Sequence, residues 1–319
     1  MTKNFTAVLI TFLSICSVPA GAWTIEAGTF NFEPVNKNVY VMHGPLSPPN
    51  KANHGFMNNP AYVETENGIV IIDPGSTLEV GNAVLKEIRL LTNKPVLAIF
   101  NTHIHGDHWL ANQSVLAEYP TIKIYAHPQL IEQANSSEGL SWLSLMDRLT
   151  EGLSVGTKVV PPTTSVNHDQ TITIDGEHFK IHSISPAHTD SDIMVEHVES
   201  QTMFLGDNCI INRVGRFDGS SSMLGNIKAL EYAAAESMKV YVPGHGPSGS
   251  ADKSLRPYLD YLTKLNKYVA EGFDNDMEDY EIKEDILDEF TDQKSWESFN
   301  ELFGVNVNKM YLEIEASNF

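Results

Sequence analysis

Short apolar runs separated by polar turns dominate the chain, and their spacing predicts alternating strands and helices. Val39 to Met42, Ala61 to Glu64 and Ile69 to Ile72 read as strands, Leu78 to Leu91 as an amphipathic helix, and Pro95 to Phe100 as a buried strand. A helical pattern begins at Trp109-Leu110-Ala111-Asn112, and Pro120 to Ala126 reads as a further strand. Beyond it, His178 to Ile184 alternates, Met203-Phe204-Leu205 is a short apolar run closed by Gly206-Asp207, and Val240-Tyr241-Val242 runs into Pro243-Gly244-His245-Gly246-Pro247. This alternation, continuing to about Gly249, specifies an α/β fold. Residues 251 to 319 are acidic and helix-compatible, with Leu255 to Tyr268 a helix expected to pack on the preceding layers. No internal repeat or long low-complexity linker divides the chain, so residues 23 to 250 are expected as one domain and 251 to 319 as its helical extension.

Chemistry concentrates in one turn. Asn101-Thr102-His103-Ile104-His105-Gly106-Asp107-His108 places three imidazoles and a carboxylate within six residues, between the apolar run and the helical pattern. Ligands at i and i+2 can reach one ion from an extended turn, while those at i+4 and i+5 point into the next bend and can serve a second. Neutral imidazole and carboxylate suit zinc or iron, and the lack of thiolates argues against a structural Cys-rich zinc module. Three isolated residues, His188, Asp207 and His245, each close an expected strand, the last flanked by glycines that let the backbone turn sharply.

That order, His-x-His-x-Asp-His, then a lone His, then Gly-Asp, then Gly-His, resembles the metallo-β-lactamase superfamily over roughly residues 35 to 250. The turn Ile71-Ile72-Asp73-Pro74-Gly75 is similar to that family's early strand ending in Asp-x-Gly. The resemblance implies a four-layer αβ/βα metallo-β-lactamase-like sandwich with metals at one edge, between two sheets. It also implies that His103, His105 and His188 hold one metal, that Asp107, His108 and His245 hold the other, and that Asp207 bridges them. Two Zn²⁺ per chain are expected, with iron as the alternative. A hydroxide shared by two such ions is a nucleophile at neutral pH, and the ions polarise the substrate oxygen. Asp107, bound through one oxygen, would orient the nucleophile or collect its proton with the other, which makes it the candidate catalytic residue.

The resulting expectation is a dinuclear zinc hydrolase attacking an ester, thioester, lactone or lactam-like bond of a small molecule. Class B β-lactamases generally carry Cys or Ser where this chain has Asp207, so dedicated lactamase activity is the weaker alternative. A mononuclear iron enzyme resembling persulfide dioxygenases is another. The stretches around His188 and His245 are also similar to a subgroup of secreted bacterial metallo-hydrolases, some labelled quinoprotein-associated zinc metallohydrolases. Asp192 is a candidate to orient a ligand imidazole, and Phe56 and Met57, in the long loop Gly44 to Pro60, are candidates for substrate contact. Trp109 reads as a core-facing helical residue. A ligand role for Cys209 would need a register shift. His43, His54, His127, His168, His178, His182 and His197 lack the motif setting.

The N-terminus adds a location. Lys3, the apolar stretch Ala7 to Leu13 and the small residues Ala20-Gly21-Ala22 form a signal-peptide pattern over residues 1 to 22, with cleavage leaving Trp23 first. The apolar segment is too short for a membrane span, and Ile15 before Cys16 makes a poor lipobox. The expectation is a periplasmic or secreted protein with no stable membrane anchor and with Cys209 as its one remaining cysteine, so no internal disulfide. A net charge of −20, from 21 Lys plus Arg against 41 Asp plus Glu, disfavours nucleic acid as substrate. The run Asp274-Asn275-Asp276-Met277-Glu278-Asp279 reads as a solvated loop.

Overall fold

The computed structural model describes residues 30–318. The leader pattern over residues 1 to 22, with Cys16 and the new terminus Trp23, lies outside them. The chain opens with β1 (Phe32–Asn36), β2 (Val39–Met42), β3 (Ala61–Glu64) and β4 (Ile69–Ile72), followed by α1 (Leu78–Leu91) and β5 (Val96–Phe100). Next come α2 (Gly106–Trp109), α3 (Asn112–Glu118), β6 (Lys123–Ala126), α4 (Pro128–Ala134), α5 (Ser137–Leu149) and β7 (Thr164–Ser165). The second half carries β8 (Thr171–Ile174), β9 (Glu177–His182), β10 (Met194–His197), β11 (Thr202–Ile210), α6 (Met223–Ala235) and β12 (Val240–His245). It closes with α7 (Ala251–Ser254), α8 (Arg256–Asp274), α9 (Asp279–Ile286), a 3₁₀ stretch (Leu287–Ser295) and α10 (Phe299–Ser317).

Two sheets result. Strands β1 to β7 lie in chain order, antiparallel through β4 and parallel from β4 to β7. The other sheet runs β12-β11-β10-β9-β8, with only the β11–β12 pair parallel. Strand alternation explains why these sheets must be covered on both faces. On β2 and β4, Val39, Val41, Val70 and Ile72 pack between the sheets against Phe179, Ile181, Val195 and Phe204. Their neighbours Met42, Ile69 and Ile71 point the other way, onto Val80, Val84 and Ile88 of α1. The second sheet does the same, sending Met194, Met203 and Leu205 onto the helical side. The order helix, sheet, sheet, helix is the expected αβ/βα sandwich.

The helical extension shares that second outer core. Tyr258, Tyr261 and Leu265 of α8 and Phe303, Val307 and Met310 of α10 join Met203 and Leu205 in one apolar cluster. The expected helix Leu255 to Tyr268 extends to Asp274 because its apolar face continues through Val269. Within the acidic run, Glu278 forms a capping box with Glu281 and starts α9, so the charges are exposed but only partly a loop. Two other boundaries differ from expectation. The helix at the His-rich turn starts at Gly106, which puts Asp107 and His108 inside its first turn, favourable for a carboxylate near a helix N-terminus. Asp207 lies within β11 and not at its end, since the strand continues to Ile210 across an irregular register around Gly206.

Candidate metal centre

The candidate ligands gather at one edge of the sandwich, those of the His-rich turn just beyond the carboxyl end of the parallel strand β5, where open α/β sheets leave a crevice. The turn after β5 supplies His103, His105, Asp107 and His108 from the first sheet, while His188, Asp207 and His245 come from the second. Their ligand atoms converge as two groups. His103, His105, His188 and Asp207 form one, and Asp107, His108 and His245 the other, each within 4.8 Å internally.

Asp207 joins the groups. Its Oδ2 lies 3.8 Å from His103 Nε2, 3.5 Å from His188 Nε2 and 3.2 Å from His245 Nε2, and its Oδ1 lies 3.2 Å from His108 Nε2. Asp107 Oδ2 is 3.3 Å from His108 Nε2 and 3.4 Å from His245 Nε2. His188 Nε2 and His105 Nδ1 face each other at 3.0 Å. Two glycines permit this approach. Gly206 takes φ +54° against the Thr102 side chain, and a Cβ on Gly244 would overlap Asp207 Oδ1.

The outer nitrogens of His103, His105, His108 and His245 each face a partner, which fixes which lone pairs face inward, while His188 Nδ1 is buried without one among the described residues. Asp73 accepts from the Thr102 backbone N–H at 2.9 Å, the Thr102 hydroxyl at 2.6 Å and His108 Nδ1 at 2.8 Å. With its own O–H directed at Asp73, the Thr102 hydroxyl accepts from His103 Nδ1 at 3.0 Å. His245 Nδ1 donates to the Met57 carbonyl at 2.9 Å. His105 Nε2 faces Asp218 Oδ2 at 3.6 Å, and Asp218 in turn accepts from the Ser220 N–H and hydroxyl. Asp73 itself sits at φ +51°, a left-handed conformation that an Asp tolerates, just after β4.

Inside this scaffold, His103 Nε2, His108 Nε2, Asp107 Oδ2 and Asp207 Oδ1 are buried without a hydrogen-bond partner among the described residues. Buried donors and acceptors are almost always satisfied, so four orphans divided between these two adjoining groups fit a divalent metal centre. Electrostatics sort the histidines. Burial lowers His103 well below its ordinary value, with the adjacent His108 adding to the effect. Burial and His105 push His188 down to about 3. His108 goes the other way: burial opposes protonation, yet the carboxylates of Asp207, Asp107 and Asp73 together raise it well above the usual range. Burial would raise Asp107 and Asp207, but facing histidines hold both well below the ordinary carboxylate value.

All seven candidate ligands are thus brought together, and several side readings change. Asp192 meets no imidazole; its carboxylate accepts from the Thr189 N–H at 2.7 Å and contacts the Thr189 hydroxyl at 2.8 Å, closing the turn that carries His188. Phe56 is 1% exposed, edge-on to Phe30 in the core between α1 and the first sheet, whereas Met57 reaches the cavity above the ligands. Trp109 is buried with its indole N–H on the Ile104 carbonyl, as expected of a core residue. The Cys209 thiol is buried on the helical side, against the Ser254 carbonyl. His168 and His182 lie outside both groups, near Tyr232.

His105, Asp107, His188, Asp207 and His245 line a cavity of about 610 Å³, bounded by Trp142, Leu145, Met146 and Leu149 of α5 and by Arg213, Arg216 and Leu302. Asp73 had a sequence signal, the Asp-x-Gly turn, although no role could be attached to it. Asp218, Trp142 and Arg213 had none, since each stands alone in sequence and reaches the site through tertiary packing.

Known proteins resemble this chain in sequence or fold. A probable metallo-hydrolase of Streptococcus pyogenes serotype M6 is 24% identical over 218 residues, covering 65% of this chain and 88% of its own. Among solved structures, a metallo-beta-lactamase from Pontibacter korlensis superposes with TM-score 0.57 at 18% identity, over 73% of this chain and 99% of that one. The stereoselective inverting sec-alkylsulfatase of Pseudomonas sp. superposes with TM-score 0.69 at 18% identity, over 89% of this chain but only 50% of that one. Residues 55–245 match the family described as the metallo-beta-lactamase superfamily, a span that holds every candidate ligand from His103 to His245. On that match the chain belongs to the metallo-beta-lactamase superfamily and is a metal-dependent hydrolase.

Proposed function

We propose that this hydrolase is secreted or periplasmic, works with two zinc ions, and opens an ester, thioester, lactone or lactam-like bond of a small molecule. The observation that carries the reading is Asp207, whose two oxygens face both groups of histidines at 3.2 to 3.8 Å. Two divalent ions there would supply an activated water and polarise the scissile carbonyl. The chain does the rest. Asp107 is held ionised by His108 and His245. With Oδ2 turned to those rings, its other oxygen orients the attacking water and accepts its proton. Asp73, through Thr102 and His108, keeps the imidazoles in the tautomers that present Nε2 inward. The apolar face of α5 excludes bulk water, and the cavity volume suits a small molecule and not a polymer. The net charge of −20 supports the same choice against nucleic acid. The leader pattern over residues 1 to 22 supports export.

Elemental analysis of protein taken from its natural compartment tests the reading, with turnover measured on lactones, thioesters and a chromogenic cephalosporin before chelation, after it, and after zinc is restored. About two zinc ions per chain and zinc-restored hydrolysis are expected. One iron with oxygen uptake would replace the hydrolytic reading by the dioxygenase one. The same preparation should begin at Trp23, and an intact Met1 terminus in the cytoplasm would remove the export proposal.

A further inference from the structure

Among the described residues a third group of side chains comes to ligand distance, away from the centre at the sandwich edge. Glu177, His197 and Glu199 bring two carboxylate oxygens and an imidazole nitrogen within 4.8 Å of one another. They lie where β9 begins, where β10 ends and in the turn that leads to β11. Thr202, paired with His197 across that turn, precedes Asp207 on the same strand. At about 3.3 Å per residue, the group sits roughly 16 Å from the carboxylate that joins the two groups of the main centre.

His197 is a core residue with one nitrogen turned toward carboxylates. It is 1% exposed, and its ring packs on Phe179 with centroids 5.3 Å apart. Its Nδ1 meets the Ser200 hydroxyl at 2.8 Å, and that hydroxyl donates to Thr202 Oγ1 at 2.9 Å, so it accepts from the Nδ1–H. In the neutral ring this leaves the lone pair of Nε2 facing Glu177 Oε2 at 2.9 Å and Glu199 Oε2 at 3.4 Å. Three such atoms close together only around positive charge. A second proton on the ring would serve one carboxylate along its N–H axis, whereas an ion between the three serves both. Glu199 is also held in place from behind: its Oε1 accepts from His178 Nδ1 at 2.6 Å and its Oε2 from the His178 backbone N–H at 3.0 Å. Ser200 and His178 thus do for this group what Asp73 and Thr102 do for the main centre, fixing the ligands by their outward contacts.

We propose that Glu177, His197 and Glu199 bind a divalent ion of the zinc type, separate from the hydrolytic centre, with water completing its shell. An imidazole with two carboxylates suits zinc and its neighbours, while calcium and magnesium prefer oxygen ligands throughout. The ion is structural, fastening the start of β9 to the turn after β10. That turn is already tied to the first sheet, because Asn36 of β1 donates to the Ser200 carbonyl at 2.7 Å and to Thr202 Oγ1 at 3.0 Å. With three protein ligands, two of them reached by solvent, the site gives up its ion before the main centre does. It does not depend on the hydrolase reading.

The test compares wild type with Glu177→Gln and Glu199→Gln, each dialysed to equilibrium against about 100 µM zinc and analysed for metal. Wild type should hold about one zinc per chain more than either variant, whatever the main centre retains. Equal content in all three proteins would overturn the site and leave only an ion pair between His197 and the two glutamates. Raising zinc from about 10 µM to about 1 mM should lift the thermal unfolding midpoint further in wild type than in the variants, and an equal rise in all three would overturn the structural role. About a tenfold excess of calcium should leave the zinc content of wild type unchanged, and loss of one zinc to calcium would overturn the assignment to a zinc-type ion.

Discussion

The floor and the side wall of the cavity are built on opposite plans. The floor is local and redundant: four of its seven ligands fall within six consecutive residues, and Asp73, Thr102 and the Met57 carbonyl hold its imidazoles by hydrogen bonds to the outward nitrogens. The side wall is assembled from a distance. Arg213 sits where it does because Glu297 and Asn306, roughly 90 residues away, hold its backbone. Chemistry common to a whole superfamily can be written in a short motif, whereas the surface that chooses a substrate depends on how an added layer packs. Damage to the floor should remove turnover, and damage to the wall should alter selectivity or stability first.

The largest effect is expected from Asp107→Ala, which removes both a ligand and the proposed proton acceptor. Turnover should drop by about a thousandfold or more, while His168→Ala, outside the centre, should match wild type. Full activity in Asp107→Ala would end its assignment. Asp73→Ala is the next step out, since it frees both Thr102 and His108; metal affinity measured by competition with a chelator should weaken about 10- to 100-fold. Unchanged affinity would mean that the imidazoles hold their orientation without it.

Phe303→Ala probes the packing under the wall. This ring is 2% exposed and stacks on Phe299, so its loss should cost about 3–5 kcal/mol in denaturant unfolding. The ligand set should be left in place, which metal stoichiometry can check. A cost near zero would show that the extension is not part of the cooperative core.

The most specific effect concerns Asp192, whose carboxyl is pushed up to about 8 by burial, with Thr189 opposing and Asp207 adding to the rise. Because the folded value lies above the ordinary 3.8, the native protein keeps a proton that the unfolded chain gives up, so wild type loses stability as pH rises between those values. Asp192→Asn lacks this dependence. The stability difference between the two proteins should therefore move against wild type from about pH 4 to 8, by at most about 1.4 kcal/mol per pH unit. A flat difference would mean that Asp192 ionises normally.

Much of the fold was legible because its cores are sorted by alternation. The strands Val39–Met42, Ala61–Glu64 and Ile69–Ile72 and the helix Leu78–Leu91 fall where apolar periodicity places them. Boundaries were less legible where side chains compete with the backbone pattern, as at Gly106, where the helix starts before its apolar residues do. Gly206 looked like a strand end because glycine usually marks one, yet the strand bends there and continues, aiming Asp207 across to Gly244. The ligands were readable as a set since their order matched a family, and Phe56 was misplaced because a loop aromatic beside Met57 gives no sign of which one turns inward. Asp218 and Arg213 carried no local pattern at all.

The ligands are divided between the two halves of the sandwich: His103, His105, Asp107 and His108 extend from one sheet, and His188, Asp207 and His245 from the other. Elsewhere the halves meet through apolar contact, between residues such as Val70, Ile72, Phe179 and Phe204, and through hydrogen bonds such as those from Asn36 to Ser200 and Thr202 and from Asn59 to Pro243 and Gly246. Ions seated at this edge would act as rivets through both plates, so that occupancy and mechanical integrity become one quantity. A cell that starves this protein of metal would then weaken the seam between the two halves along with the activity, at the edge where the chemistry is done.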